Sequence, residues 1–235
     1  MVTKREYINR VLLIMNEAGM TDASGTPLLG ADTAQVDRYI EGSFVDAWRT
    51  CVAVMPRIWF ANKSFLNAAI TSDAGRGTGY VVLPDDFYLL TSFKMKGWQK
   101  PAYEASVESE KVGAIQSNEY TRGSTIRPVC TITNKVLSGG NIGQVLNYYS
   151  LPRGQSEHIV EEAIYVPVGH PLKDVEDDSN LGIDARVLEP LAYLSAASVF
   201  TLFEKDAIAK SLTQRAIEMF PGLHSTRGNN VTVKQ

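Results

Sequence analysis

Residues 79–101 read GYVVLPDDFYLLTSFKMKGWQKP, and this stretch decides the fold because it breaks with the helical period that governs both ends of the chain. Ser92, Lys94 and Lys96 alternate with Phe93 and Met95, the two-residue period of a strand with one buried and one wet face. Ahead of that run, Pro84 with Asp85 and Asp86 reads as a turn in which an aspartate accepts backbone hydrogen bonds. The same alternation in VCTITNKV and similar runs predict strands at Tyr80 to Leu83, Tyr88 to Lys96, Arg127 to Lys135, Gly143 to Leu151 and His158 to Val166. The polar segment 103–128 between the second and third strands leaves its form open, a short helix near Val107 to Ile115 being one choice.

Outward from these strands the period changes to that of helices. Thr3 and Glu6 have capping-box spacing, and Tyr7, Ile8, Val11, Leu12, Met15 and Ala18 then follow at helical intervals until Gly19. Asp32 or Thr33 caps a second helix whose stripe is Val36, Ile40, Phe44, Ala47, Cys51 and Val54, widened by Trp48 and Met55 and ended by Pro56. After the acidic stretch DVEDDSN, Leu188, Leu191, Ala192, Ser195, Val199, Leu202 and Phe203 form a stripe rich in small residues. Ile208, Leu212, Ala216, Met219 and Phe220 form another, with Asp206 as its cap, so the two read as a hairpin or one bent helix. TSDAGRGTG, residues 71–79, reads as a flexible connection near a boundary. The fold class is therefore α+β: terminal helices form a helical bundle with a central β-rich insertion. The helical body takes residues 1–70 and 184–221, the insertion 71–183, and a C-terminal tail 222–235. In that tail the alternating Val231 and Val233 suit addition to another chain's sheet, the bland reading being a frayed end.

Charge and composition narrow the function classes. The chain has 235 residues, 23 Lys and Arg against 26 Asp and Glu, and a net charge of −3, with a pI of about 5.7. A broad basic footprint for gripping nucleic acid is missing, although such a surface suits a wall past which DNA slides. Cys51 and Cys130 sit in a helical and a strand pattern and read as small core residues, not as a disulfide framework. No uncharged run has the length needed to cross a bilayer, and the N-terminal segment lacks the unbroken apolar core of a secretory signal.

Motifs with residues suited to chemistry fall short one by one. GRGTG, residues 75–79, lacks the Gly-Lys-Ser/Thr ending of a phosphate loop. Asp85 and Asp86 are adjacent, and neighbours on a strand point to opposite faces. His158, His170 and His224 are scattered, and EDDSN, residues 176–180, lacks the spacing of a calcium loop and reads as solvated. The basic residues of MKGWQK, Lys96 and Lys100, together with Trp98 allow stacking and pairing with nucleic acid, but two lysines on a wet strand face are commonplace. No catalytic residue, metal site or cofactor is assigned, and the chain is expected not to be an enzyme.

The stretch LPDDFYLLTSFKMKGW, followed by the polar excursion, RGSTIRPVCTITNKV and VLNYYSLP, resembles the central part of phage head-to-tail adaptors. These are the tail tubular protein A type of short-tailed phages and the ring proteins of crAss-like phages. The resemblance extends to LAYLSAASVFTLFEKDAIAKSLTQRAIEMF and weakens at the acidic stretch and the tail. It implies a virion protein, assembled in the host cytoplasm, that forms a ring, a dodecamer in that family, joining portal protein to further tail or ring proteins. DNA would pass through the channel without specific binding, and no membrane would be involved. In such proteins a proline-aspartate turn leads into a strand that faces neighbouring subunits, so the resemblance makes Pro84, Asp85, Asp86 and Phe87 interface candidates, joined by Trp98, Val231 and Val233. The alternative is a tail-associated cell-wall hydrolase, which requires convergent carboxylates or a metal cluster.

Overall fold

The computed structural model describes residues 2–19, 33–137, 139–152, 154–155, 157–169 and 171–220. In chain order the elements are α1 Lys4–Glu17, α2 Thr33–Val54, β1 Lys63–Ser64, β2 Ile70–Asp73, β3 Thr78–Val82, β4 Phe87–Met95, β5 Ala105–Val107, α3 Glu110–Ser117, β6 Cys130–Val136, β7 Ile142–Tyr148, β8 Val160–Pro167, α4 Ala185–Leu202 and α5 Asp206–Glu218. The class is α+β, and helices are not confined to the ends, since α3 lies among the strands. Two compact units divide the chain: residues 1–61 with 169–235, and residues 62–168. The expected boundaries at 70/71 and 183/184 thus lie inside units. Phe65 is buried with the strands, whereas Leu172 and Ile183 are buried outside that unit's span. Among the described residues, no helix is long and apolar enough to cross a membrane.

In the helical unit α4 packs against α1, α2 and α5. Its stripe of Ala192, Ser195, Ala196 and Val199 is fully buried, and small side chains there let neighbouring backbones approach closely. The hydroxyl of Tyr7 in α1 donates to Ser195 Oγ at 2.6 Å, which satisfies a polar group that would otherwise be costly to bury. The ring of Tyr7 meets Phe44 of α2 edge-on at 5.2 Å. The capping box at Thr3 and Glu6 forms as its spacing predicts. Helix α2 opens at Thr33, and Asp32 lies outside the described residues. Asp206 is not a cap: Lys205 occupies that position without a side-chain bond, and Asp206 falls in the first turn, where its charge favours the positive end of the helix dipole. A turn through Glu204, at φ +58, separates α4 from α5, making them two helices and not one bent one.

The acidic stretch is solvent-exposed at Glu176, Asp177, Asp178 and Asn180, as its reading as a solvated loop expects, and its backbone also meets the start of α1. The backbone N–H groups of Lys4 and Arg5 donate to the carbonyls of Ser179 at 3.1 Å and Asp177 at 2.9 Å, so the loop satisfies donors that a helix N-terminus leaves orphaned.

In the second unit β1, β8 and β4 form a three-stranded sheet, and β2, β3, β7, β6 and β5 a five-stranded one. All five predicted strands are present, while β1, β2 and β5 add to them. Among the described residues, only the β5–β6 pair is parallel. The core gathers Phe65, Phe93, Trp98, Leu146 and Tyr148, with Phe65 stacked on Phe93 at 6.0 Å and 7°. The expected alternation along β4 holds at Phe93 and Met95 but not at Ser92, which is buried and donates to Glu162 of β8. Register irregularities along β4 account for this departure.

The 71–79 stretch is likewise a tight hairpin and not a flexible connection. Gly77 N–H donates to Asp73 O at 2.9 Å, Leu151 N–H to Gly77 O at 3.0 Å, and Gly154 N–H to Ala74 O at 3.2 Å. Gly77 has φ +66, and a Cβ there would lie 2.1 Å from the carbonyl oxygen of Leu151. Only glycine fits both the backbone conformation and the space. The polar excursion carries a short helix, but it opens at Glu110 behind the cap Ser109, and Val107 belongs to β5.

Candidate partner-binding surfaces

The Pro84–Phe87 segment is a turn closed by Phe87 N–H donating to Pro84 O at 3.0 Å. Asp86 accepts at Oδ2 from Lys63 Nζ and at Oδ1 from the Tyr165 hydroxyl, both at 2.6 Å. Its main-chain carbonyl accepts Val168 N–H at 2.7 Å. Asp86 therefore ties the turn to β1 and β8 chiefly through side-chain donors. Partial burial raises its pKa, but the bonds from Lys63 and Tyr165 outweigh it and leave the carboxyl below the usual aspartate value. Asp85 is exposed and Pro84 half-buried, so the two carboxylates do not act as a pair. Phe87 is only 8% exposed, stacks on Tyr165 at 5.5 Å and meets Phe65 edge-on at 6.2 Å. Of these four candidates, Asp85 is exposed, Pro84 and Asp86 are half-buried, and Phe87 is buried.

Trp98 is a core residue, 3% exposed, with its ring edge-on to Phe93 at 5.8 Å. It offers no face for a nucleic-acid base, and its Nε1–H finds no acceptor among the described residues. Lys94 pairs with Glu161 at 2.8 Å. Val231 and Val233, like His170 and His224, lie outside the described residues. His158 Nδ1 is 2.6 Å from the Tyr148 hydroxyl, and burial holds its imidazole below the ordinary pKa. Cys51 and Cys130 are both buried and free. Burial pushes the Cys51 thiol up to about 12 and raises that of Cys130 as well, so both are poor thiolates. Among the described residues, no group of His, Cys, Asp or Glu is arranged to hold a metal ion.

Two features escaped the sequence reading. Lys4, nearly buried, reaches Glu41 at 2.7 Å and Asp177 at 3.8 Å, and donates to Val175 O at 2.9 Å. Its position in the first turn of an amphipathic helix gave no hint of this pairing. The second is a set of exposed apolar side chains. At the β6–β7 hairpin end, Val136 and Ile142 face each other in register and are 69% and 75% exposed. They share the face of Ile132 and Leu146, which lower down packs in or against the core. In the helical unit Leu13, Val54, Leu202 and Phe203 are exposed. Three of these four were expected to extend buried stripes or, for Val54, to complete one; only Leu13 was not assigned to any.

The chain matches no protein-family model and no curated protein sequence.

Proposed function

We propose that this chain is a structural virion protein, a head-to-tail adaptor whose copies close into a ring between portal and tail and continue the channel for DNA. On this reading the terminal helices form a bundle, the strands are its central insertion, and the ring is a dodecamer by the resemblance of the central stretch to such adaptors. The observation that carries the proposal is the uncovered apolar pair Val136 and Ile142 at the β6–β7 hairpin end. The pair lies on the face that carries the core, beyond the exposed polar pair Asn134 and Gln144, and exposed apolar side chains rimmed by polar ones fit a surface that another chain covers. A ring of identical copies closes through heterologous contacts, so each chain needs two unlike faces. The exposed Leu13, Leu202 and Phe203 of the helical unit are candidates for the second. A net charge of −3 also suits a channel wall that lets DNA pass without gripping it. No bond in a substrate is made or broken.

The test is to mix the purified chain with portal protein and image the product by electron microscopy. The expected result is a ring stacked on portal, lost in the Val136→Asp/Ile142→Asp double variant while the circular dichroism spectrum stays that of the wild type. A chain that remains free beside portal, or a double variant that assembles as well as the wild type, overturns the proposal.

A further inference from the structure

The five-stranded sheet has a second face that the core does not use. Register places Thr71, Tyr80, Asn147, Thr131 and Ser106 in one row across β2, β3, β7, β6 and β5. The row is exposed at both edges and buried in the middle, at Asn147 and Thr131. Asn147 Nδ2 donates to Glu108 Oε2 at 2.8 Å and lies 3.0 Å from Thr133 Oγ1. Thr131 Oγ1 donates to the same carboxylate oxygen at 3.0 Å and lies 2.9 Å from the Tyr149 hydroxyl. Above this floor is an open groove of about 480 Å3, with Lys135 Nζ placed 4.4 Å over the Tyr80 ring along its wall.

The wet face of an antiparallel sheet ordinarily carries separate, solvated polar side chains. Here an amide, two threonine hydroxyls, a phenol and a carboxylate are joined in a connected network, partly shielded from water. Apolar residues would fill such a position without the cost of desolvating polar groups. Pre-oriented donors and acceptors in a concave site of this size are the form of a small-ligand subsite.

The chemistry of the lining selects the ligand. Two carboxylates, Asp73 and Glu108, stand against one ammonium, Lys135, so a phosphate or other polyanion is disfavoured. Hydroxyls and amides both donate and accept, and they match a ligand whose own groups do both. Tyr80 and Tyr149 supply flat apolar surface with a polar tip. We infer that this groove binds a neutral polyhydroxyl ligand, a saccharide chain lying across the sheet. The inference is independent of ring assembly, because it rests on residues of one unit alone.

The test is a titration of the 15N-labelled full chain with maltohexaose, mannohexaose and chitohexaose, each to about 10 mM, read by amide chemical shifts. At least one probe is expected to shift the amides of Thr71, Asn147 and Tyr149 together, with a Kd below about 5 mM. Thr71→Ala, an exposed change in the groove row, and Tyr80→Ala are each expected to weaken that binding several-fold. The wild-type titration decides the matter even if a variant folds poorly. No shift at these amides with any of the three probes overturns the inference. So does tighter binding of an anionic hyaluronan hexamer, or binding of equal strength by Thr71→Ala.

Discussion

Replacing Asp86 by alanine tests the account of the Pro84–Phe87 turn most directly. The substitution removes two bonds to one carboxylate, from the hydroxyl of Tyr165 and the ammonium of Lys63, each at 2.6 Å. Tyr165 is buried, and a hydrogen bond to a charged partner contributes about 1.5–3 kcal/mol, most of it lost when the hydroxyl is left unsatisfied. The Lys63 side chain is half exposed, so solvent screens that pair to under about 1 kcal/mol. The expected cost at pH 7 is about 2–3 kcal/mol. Asp85→Ala, one residue away on the surface, is expected to change stability by less than about 0.5 kcal/mol. The sign with pH follows from linkage. The folded pKa of Asp86 is below the unfolded value, so its contribution is fully present above the unfolded pKa of about 3.9 and is lost as pH falls through the lowered folded value. Urea unfolding followed through amide exchange of β4 and β8 reads this unit separately. Equal stability of Asp86→Ala and wild type at pH 7, or an Asp85→Ala loss as large, would refute the assignment of the turn to structure. Tyr165→Phe provides the closing leg of a double-mutant cycle, with an expected coupling of about 1–2 kcal/mol.

Two further outcomes follow from local geometry. Gly77→Ala forces a Cβ to within 2.1 Å of the Leu151 carbonyl oxygen at φ +66 and is expected to cost about 3 kcal/mol or more, whereas Gly75→Ala, with Asp73 Oδ1 at 3.4 Å as its nearest neighbour, is expected to be near neutral; thermal melts of both compare them. Burial and the neighbouring Glu41 and Asp177 raise the Asp37 pKa, with Lys4 opposing. Ionising Asp37 therefore destabilises the fold, a penalty that sets in as pH rises from the unfolded value through the raised folded one. Asp37→Asn is expected to gain stability at pH 7 and to lose that gain as pH falls toward about 4, in urea titrations at both conditions; an unchanged difference at the two pH values argues against it.

Local signals determined much of this protein. The capping box at Thr3 and Glu6, the apolar stripes of α2 and α4, and five strands were legible because each is set by spacing within a few residues. The buried cysteines followed from the same stripes. What depends on partners distant in sequence was not legible. Asp86 looked like a turn residue, and only the arrival of Lys63 and Tyr165 made it a three-way tie. Trp98 beside two lysines resembled a surface reader, yet packing on Phe93 made it core. Strands β1, β2 and β5 escaped because they are short, and their sequences gain strand form only from a neighbour's ladder. The acidic stretch is solvated as read, but that its carbonyls accept from the N-terminus of α1 was not legible. The polar row through Asn147 and Thr131 came from register across strands β2, β3, β7, β6 and β5, a relation that no window along the chain contains. Periodicity fixes which side of an element is apolar, whereas only the tertiary fold decides which polar groups meet, because their partners lie tens of residues away.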